Sequence, residues 1–142
     1  MNSATVVPLR RKARELALQV LYQCETSGQG VEEALVLTMA NFEANKKAFG
    51  YARELLLGIE SRKAEIDELI RDHSAHWRLE RMALVDLNIL RIGVYELCAC
   101  PDVPASVVIN EALEVAGRYS ADDATSFING ILDAVRTKLG RK

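Results

Sequence analysis

Apolar residues recur at helical spacing along almost the whole chain, and no alternating β pattern of useful length interrupts them. From Arg10 to about Thr26, Ala13, Leu16, Ala17, Val20, Leu21 and Cys24 form one buried stripe, which Ser27-Gly28-Gln29-Gly30 brings to a stop. A second helix follows from Val31 to about Phe42, with Leu35, Met39 and Phe42 as its apolar face and a turn from Asn41 to Asn45. A long third stretch from about Lys46 to His73 carries Phe49, Ala52, Leu55, Leu56, Ile59, Ile66, Leu69 and Ile70. Gly58 is a candidate kink within it, and Ser61 a candidate N-cap that restarts it.

Trp77-Arg78-Leu79 leads into the most apolar segment, Met82 to Cys100, which ends at Pro101-Asp102-Val103-Pro104 because proline cannot continue a helix. Further helices are predicted from about Ala105 to Tyr119 and from about Asp123 to Leu139. Ser120 and Asp123 between them have capping-box spacing. The pattern therefore predicts an all-α protein of six or seven helices in a single compact domain spanning residues 1–142. Its halves, about 10–74 and 78–139, meet near Trp77.

Composition agrees: 49% hydrophobic, 27% charged and 6% aromatic residues, with three prolines and eight glycines, are the proportions of a helical globular chain. Cys24, Cys98 and Cys100 are too few and odd in number for a disulfide scaffold. No zinc-ligand pattern is completed around them, and they read as small core residues of a reducing compartment. No segment approaches the ~20 consecutive apolar residues of a membrane span. With no signal-peptide run either, the chain reads as cytoplasmic, with residues 1–9 as a loose arm.

Charge sharpens the picture. The first fourteen residues hold four basic side chains (Arg10, Arg11, Lys12 and Arg14) and no acidic one, so a chain of net charge −2 leaves −6 for the rest. A cationic site on an acidic protein points to a local polyanion contact. At about 100° per residue, Arg11, Leu18 and Tyr22 fall opposite Val20, with Arg14 and Glu15 flanking them. Basic groups neutralise phosphates and an exposed ring offers bases a stacking surface, a pairing suited to single-stranded RNA. The alternative is a solvated basic first turn with Tyr22 covered by a neighbouring helix. Basic residues opening a helix oppose its macrodipole, so stability alone does not account for them.

In the segment from Met82 to Cys100, Arg81, Asn88, Arg91 and Glu96 cover one polar arc, whereas Asp86 aligns with Leu79, Leu90, Gly93 and Leu97. A carboxylate on an apolar face needs a donor, either an internal salt bridge or cap, or a cation on a partner. Other chemistry is sparse. His73 and His76 lack a metal-ligand set, Ser74 has no nucleophile-elbow context, and there is no G-x-G-x-x-G or P-loop. No catalytic site, metal or cofactor is expected.

Several segments together carry a resemblance. They are Arg10-Arg11-Lys12-Ala13-Arg14-Glu15, Leu21-Tyr22-Gln23, the run from Leu84 to Leu97, Val103-Pro104, Val108 to Ala112, and Phe127 to Asp133. In this order they resemble the NusB family over essentially the whole chain, with residues 28–50 the least similar. The resemblance implies two packed helical bundles and a transcription antitermination factor acting on, notably, ribosomal RNA operons. It implies that boxA-type RNA is bound together with NusE, a small-subunit ribosomal protein, on an RNA polymerase elongation complex with other Nus factors. It assigns RNA contact to Arg10, Arg11, Lys12 and Arg14 with Tyr22 close by, and brings Asp123 and Phe127 near RNA. Asp86 and Glu96 match the side that receives NusE. Ser126 departs from the family pattern, where a basic residue often precedes the matching Phe, and Phe127 itself reads equally as core beside Ile128, Ile131, Leu132 and Val135. Asn129-Gly130 reads as a point of close helix packing.

Two other classes stay open on the sequence: an RNA-binding domain of an RNA cytosine methyltransferase, and a helical adaptor that binds only protein. A homodimer of the free chain, hiding residues 10–14, is a further state that the sequence does not decide.

Overall fold

A computed structural model describes residues 3–41, 46–74 and 78–142, and among these it contains seven α-helices and no strand. Helix α1 (Ser3–Ser27) packs on both α2 (Val31–Asn41) and α3 (Lys46–Ser61). It starts well before Arg10 and runs through Pro8, so the expected loose arm is helical from Ser3 onward. Ala13, Leu16, Ala17 and Val20 are its most deeply buried positions, as the stripe predicts. Gly28, at φ 79°, closes the helix in the left-handed region that glycine enters without penalty. Its N–H donates to the carbonyl of Cys24 at 2.9 Å.

On α2 the buried positions are Val31, Ala34, Leu35 and Thr38, so of the expected face Leu35 is buried and Met39 is not. Met39 is 45% exposed, and Phe42 lies outside the described residues. The helix is apolar nearly all round, so periodicity could not choose its face. Phe49, Ala52, Leu55, Leu56 and Ile59 are buried along α3, again as expected, and Ala48 joins them.

The stretch from Lys46 to His73 is two helices, α3 and α4 (Lys63–His73), broken at Arg62 and not at Gly58. Ser61 does not cap α4: its hydroxyl donates back to the Gly58 carbonyl at 3.0 Å, and Arg62 holds the N-cap position without a side-chain cap bond. The chain forms two compact units, Met1–Ser61 and Arg62–Lys142. The boundary thus lies ahead of Trp77, because α4 packs on α5 (Leu84–Ala99) and α7 (Ala124–Lys138), burying Ile66 and Ile70. Trp77 itself lies outside the described residues.

In the second unit α5 is central, packed on α4, on α6 (Ala105–Tyr119) and on α7, and every residue from Asp86 to Leu97 is buried. Ile89, Leu90 and Val94 join Val108, Ile128, Leu132 and Val135 in its core. Each such side chain contributes about 1.5–3 kcal/mol when removed from water. The close helix approach is at Gly93, where an added Cβ would lie 2.9 Å from Cδ2 of Leu132. Gly130, expected in that role, is exposed with nothing within 4 Å of such an atom.

The polar arc predicted on α5 is internal as well. Asn88, Arg91 and Glu96 are all buried, while Arg81, in a short 3-10 turn ahead of the helix, is exposed. The Ser120–Asp123 capping box does not form. Ser120 closes α6, its hydroxyl buried without a hydrogen-bond partner, and Asp123 occupies the α7 N-cap position with no side-chain cap bond. Beyond α7, Gly140 at φ 70° turns the chain, and the Arg141 guanidinium donates to the carbonyls of Leu97, at 2.8 Å, and Val103.

Candidate nucleic-acid interface

On α1 the basic cluster divides into two sides. Arg10 and Arg14 are one helical turn apart and both sit over the ring of Tyr51 on α3, their guanidinium carbons 4.8 and 5.8 Å from its centroid. Arg14 is only 3% exposed, and Leu18 is buried too. This corrects the expected outward row of Arg11, Arg14, Leu18 and Tyr22. Because α1 packs on two helices, its buried arc is wider than one stripe and takes in positions that a single-stripe reading leaves outside.

What faces outward is Lys12, exposed, with Arg10 and Arg11 partly so, and Tyr22 at 46% exposure about three turns further on. The macrodipole argument also changes. With the helix beginning at Ser3, the cluster lies beyond the first turn, where the dipole's influence has faded. Burial of Arg14 is instead accommodated by the Tyr51 ring, since a guanidinium over an aromatic face is worth about 0.5–1 kcal/mol when exposed and about 2 kcal/mol when desolvated.

The other candidate residues lie in the second unit. Asp86 is in the first turn of α5, where a carboxylate is favoured by the helix dipole, and is 7% exposed. Its Oδ1 has no hydrogen-bond partner, so the internal salt-bridge or cap reading finds no donor at that atom. Glu96, buried, follows ten residues later and so about 15 Å further along the axis of the same helix. Asp123 is exposed at the start of α7, and Phe127, one turn on, is half-buried, between the two environments the sequence allows it.

Little else offers chemistry. The ring Nδ1 of His73 lies 2.8 Å from the Leu69 carbonyl within α4, and His76 lies outside the described residues. No group of three or more His, Cys, Asp or Glu among the described residues could hold a metal ion. Burial pushes the half-buried Cys98 thiol up, and Cys100 is buried. The hydrogen bond from Arg62 holds the Glu65 carboxyl below the usual carboxylate range. No helix among the described residues is long and apolar enough to cross a membrane.

A model of the NusB family matches residues 11–137. The chain belongs to the NusB family. It is 44% identical to the transcription antitermination protein NusB of Geotalea uraniireducens (strain Rf4), over 94% of this chain and 97% of that one. Among solved structures it is similar to T. maritima NusB, with a TM-score of 0.82, 34% identity and coverage of 91% of both chains. It is likewise similar to a chain in a crystal structure of the antitermination factors NusB and NusE in complex with dsRNA. There the TM-score is 0.82 at 28% identity, covering 92% of this chain and 98% of that one. The all-helical fold read from the sequence is the NusB fold.

Two aromatic residues were not singled out in the sequence. Tyr51 stands next to Ala52 of the α3 stripe, and only the packing of α1 on α3 puts the arginines over its ring. Tyr119, 52% exposed, ends α6 just before the turn to Asp123, and an aromatic left outside the apolar stripe of that helix was its one available signal.

Proposed function

We propose that the protein is a non-enzymatic, cytoplasmic transcription antitermination factor that binds boxA-type single-stranded RNA together with NusE. On this reading it promotes read-through by an RNA polymerase elongation complex with other Nus factors, notably on ribosomal RNA operons. The observation that carries the proposal is the likeness, over nearly the full length of both chains, to a chain of the NusB–NusE–dsRNA complex. The exposed Lys12, the part-exposed Arg10 and Arg11, and the Tyr22 ring on the same helix support an RNA face. Asp123 and Phe127 at the start of α7 would contribute RNA contacts of the second unit. Asp86, with a buried oxygen lacking a donor, supports a protein-facing role for α5, and Glu96 would serve the same contact. We further read the two compact units as halves of one NusB-like domain. Linked binding of RNA and protein would raise the effective concentration of each for the other.

The test is a fluorescence titration of labelled boxA-type RNA at several salt concentrations, with and without NusE. Tighter binding with NusE and affinity that falls with salt are expected. Removing one phosphate contact by Lys12→Ala should flatten the salt dependence by about 0.7 in log–log slope, the value for a single strand. No binding by the folded protein under any of these conditions sinks the proposal, and equal competition by duplex RNA moves it from single-stranded to double-stranded ligands.

A further inference from the structure

We propose that the hydrogen-bonded amides of Gln23 and Gln29, beside Tyr22 at the end of α1, form a base-reading subsite for single-stranded RNA that selects a keto base, uracil or guanine. The inference rests on the RNA-binding reading above and adds sequence discrimination to it.

Basic side chains that meet phosphates hold RNA without reading it, and sequence is read at base edges by groups that donate and accept in a fixed arrangement. Such groups stand where α1 ends. Gly28, at φ 79°, turns the chain so that the Gln29 side chain comes back to that of Gln23. Nε2 of Gln23 donates to Oε1 of Gln29 at 2.8 Å. The Gln29 backbone N–H donates to Oγ of Ser27 at 3.2 Å, and the Ser27 hydroxyl donates to the Gln23 carbonyl at 2.6 Å. Gln29 is thus held by its backbone and by its amide, and both glutamines are half-buried. Their amides are ordered before RNA arrives.

The bond between them uses one end of each amide. Among the described residues, Oε1 of Gln23 and Nε2 of Gln29 have no partner, and neither is closed off from water. The pair therefore presents an acceptor and a donor from adjoining amides. The Watson–Crick edge of uracil or guanine carries a keto oxygen beside an imino N–H, the complement of that pair. Cytosine and adenine carry an amino group where the keto oxygen would be, which sets donor against donor. Tyr22 directly precedes Gln23 on α1, and its ring, 46% exposed, gives a base a stacking surface next to the amides. Stacking alone accepts any base, so the discrimination falls to the glutamines.

The experiment titrates the full chain with boxA-type RNA in which each position is changed in turn to every other base, with helical content and melting temperature followed in parallel. At one position uracil or guanine is expected to bind about tenfold more tightly than cytosine or adenine. Gln29→Glu keeps an inner oxygen for Gln23 and exchanges the outer donor for an acceptor. Its added charge weakens binding of every RNA, so the readout is the ratio between bases. That ratio should fall to about twofold or less at the one position and hold at all others. Gln29→Met, without charge, should lose the same preference. A pyrimidine lacking its 4-keto group, placed at that position, removes the contact from the RNA and leaves the protein intact. It should cost the parent about tenfold and cost Gln29→Met nothing. A parent that binds RNA with no keto preference at any position overturns the proposal, as does a folded Gln29→Glu or Gln29→Met with the parental ratio. Parental affinity for the RNA lacking the keto group is equally fatal. Failure of the parent chain to bind any of these RNAs overturns the RNA reading itself, while binding that is indifferent to Gln29 overturns only the assignment made here.

Discussion

Arg91 on α5 donates from Nε and Nη2 to both carboxylate oxygens of Asp67 on α4, at 2.8 and 3.1 Å. Its Nη1 donates to Oδ1 of Asn88 at 3.0 Å. Two-point pairing of this kind matches the planar fork of arginine and fixes the approach of the two helices. Both side chains are largely removed from water, at 7% and 18% exposure. Asp67→Ala strands the guanidinium, and we expect it to cost about 3–5 kcal/mol in urea unfolding. Replacing the pair together, Arg91→Met with Asp67→Leu, should recover most of that loss. If the single and double variants unfold alike, the pair is not what holds α4 to α5.

Gly93 and Gly130 should respond in opposite directions to the same substitution. An alanine Cβ at Gly93 meets Cδ2 and Cδ1 of Leu132 at 2.9 and 3.1 Å, and Leu132 is fully buried. Overpacking costs about 1–3 kcal/mol, which outweighs the ~1 kcal/mol that alanine gains over glycine in a helix. At Gly130 there is no neighbour, so Gly130→Ala should raise stability by about 0.5–1 kcal/mol. Thermal unfolding of the two variants checks both signs, and Leu132→Ala should relieve Gly93→Ala.

The helices themselves were legible because their apolar stripes are: Ala13, Leu16, Ala17 and Val20, then Phe49, Ala52, Leu55, Leu56 and Ile59, and Ile128, Ile131, Leu132 and Val135 are buried as the spacing predicts. What one-dimensional pattern could not supply was which helix faces which. The α2 face was misjudged where apolar residues fall on all sides of the helix, and α4 was assigned to the wrong half because its partner, Arg91, lies 24 residues away. The same limit governs the candidate site. The cationic cluster was visible as charge, but Arg14 turns inward through its contact with Tyr51, whose place beside α1 is a tertiary fact. Tyr22 needed only the helical turn to be read as outward.

Acid should act on the surface pair of Arg62 and Glu65. The Glu65 carboxyl accepts from Nε and Nη2 of Arg62 at 3.1 and 2.8 Å, which lowers its pKa in the folded chain. A carboxyl whose folded pKa lies below its unfolded one adds stability above the unfolded value, and this is lost as pH falls through the folded value. Glu65→Gln should therefore be slightly less stable than the parent at neutral pH and equal to it in strong acid. The exposure of the pair keeps the difference small. A carboxyl resonance of Glu65 titrating at or above the ordinary glutamate range would contradict the assignment.

The second-last residue is expected to behave as part of the second unit's core. Arg141 donates to the carbonyls of Leu97 and Val103, where α5 ends and has no further turn to satisfy its last acceptors. A positive side chain is also favoured at a helix C-terminus. The Arg136 Nη1 in turn donates to the Arg141 carbonyl at 3.1 Å, so α7 holds the residue that caps α5. Removing residues 141 and 142 should cost about 1.5–3 kcal/mol, the range for hydrogen bonds to a charged group. Amide exchange should rise in the last turn of α5 and around Val103, with little change in α4. Cys98 gives a second readout: burial pushes its thiol up, so fraying of that turn should speed its alkylation at mildly alkaline pH. Arg141→Lys keeps the charge but loses the two separate nitrogens that reach Leu97 and Val103, and should fall between the parent and the truncation. Parental exchange and alkylation rates in the truncated chain would mean that α5 is closed by its own backbone alone.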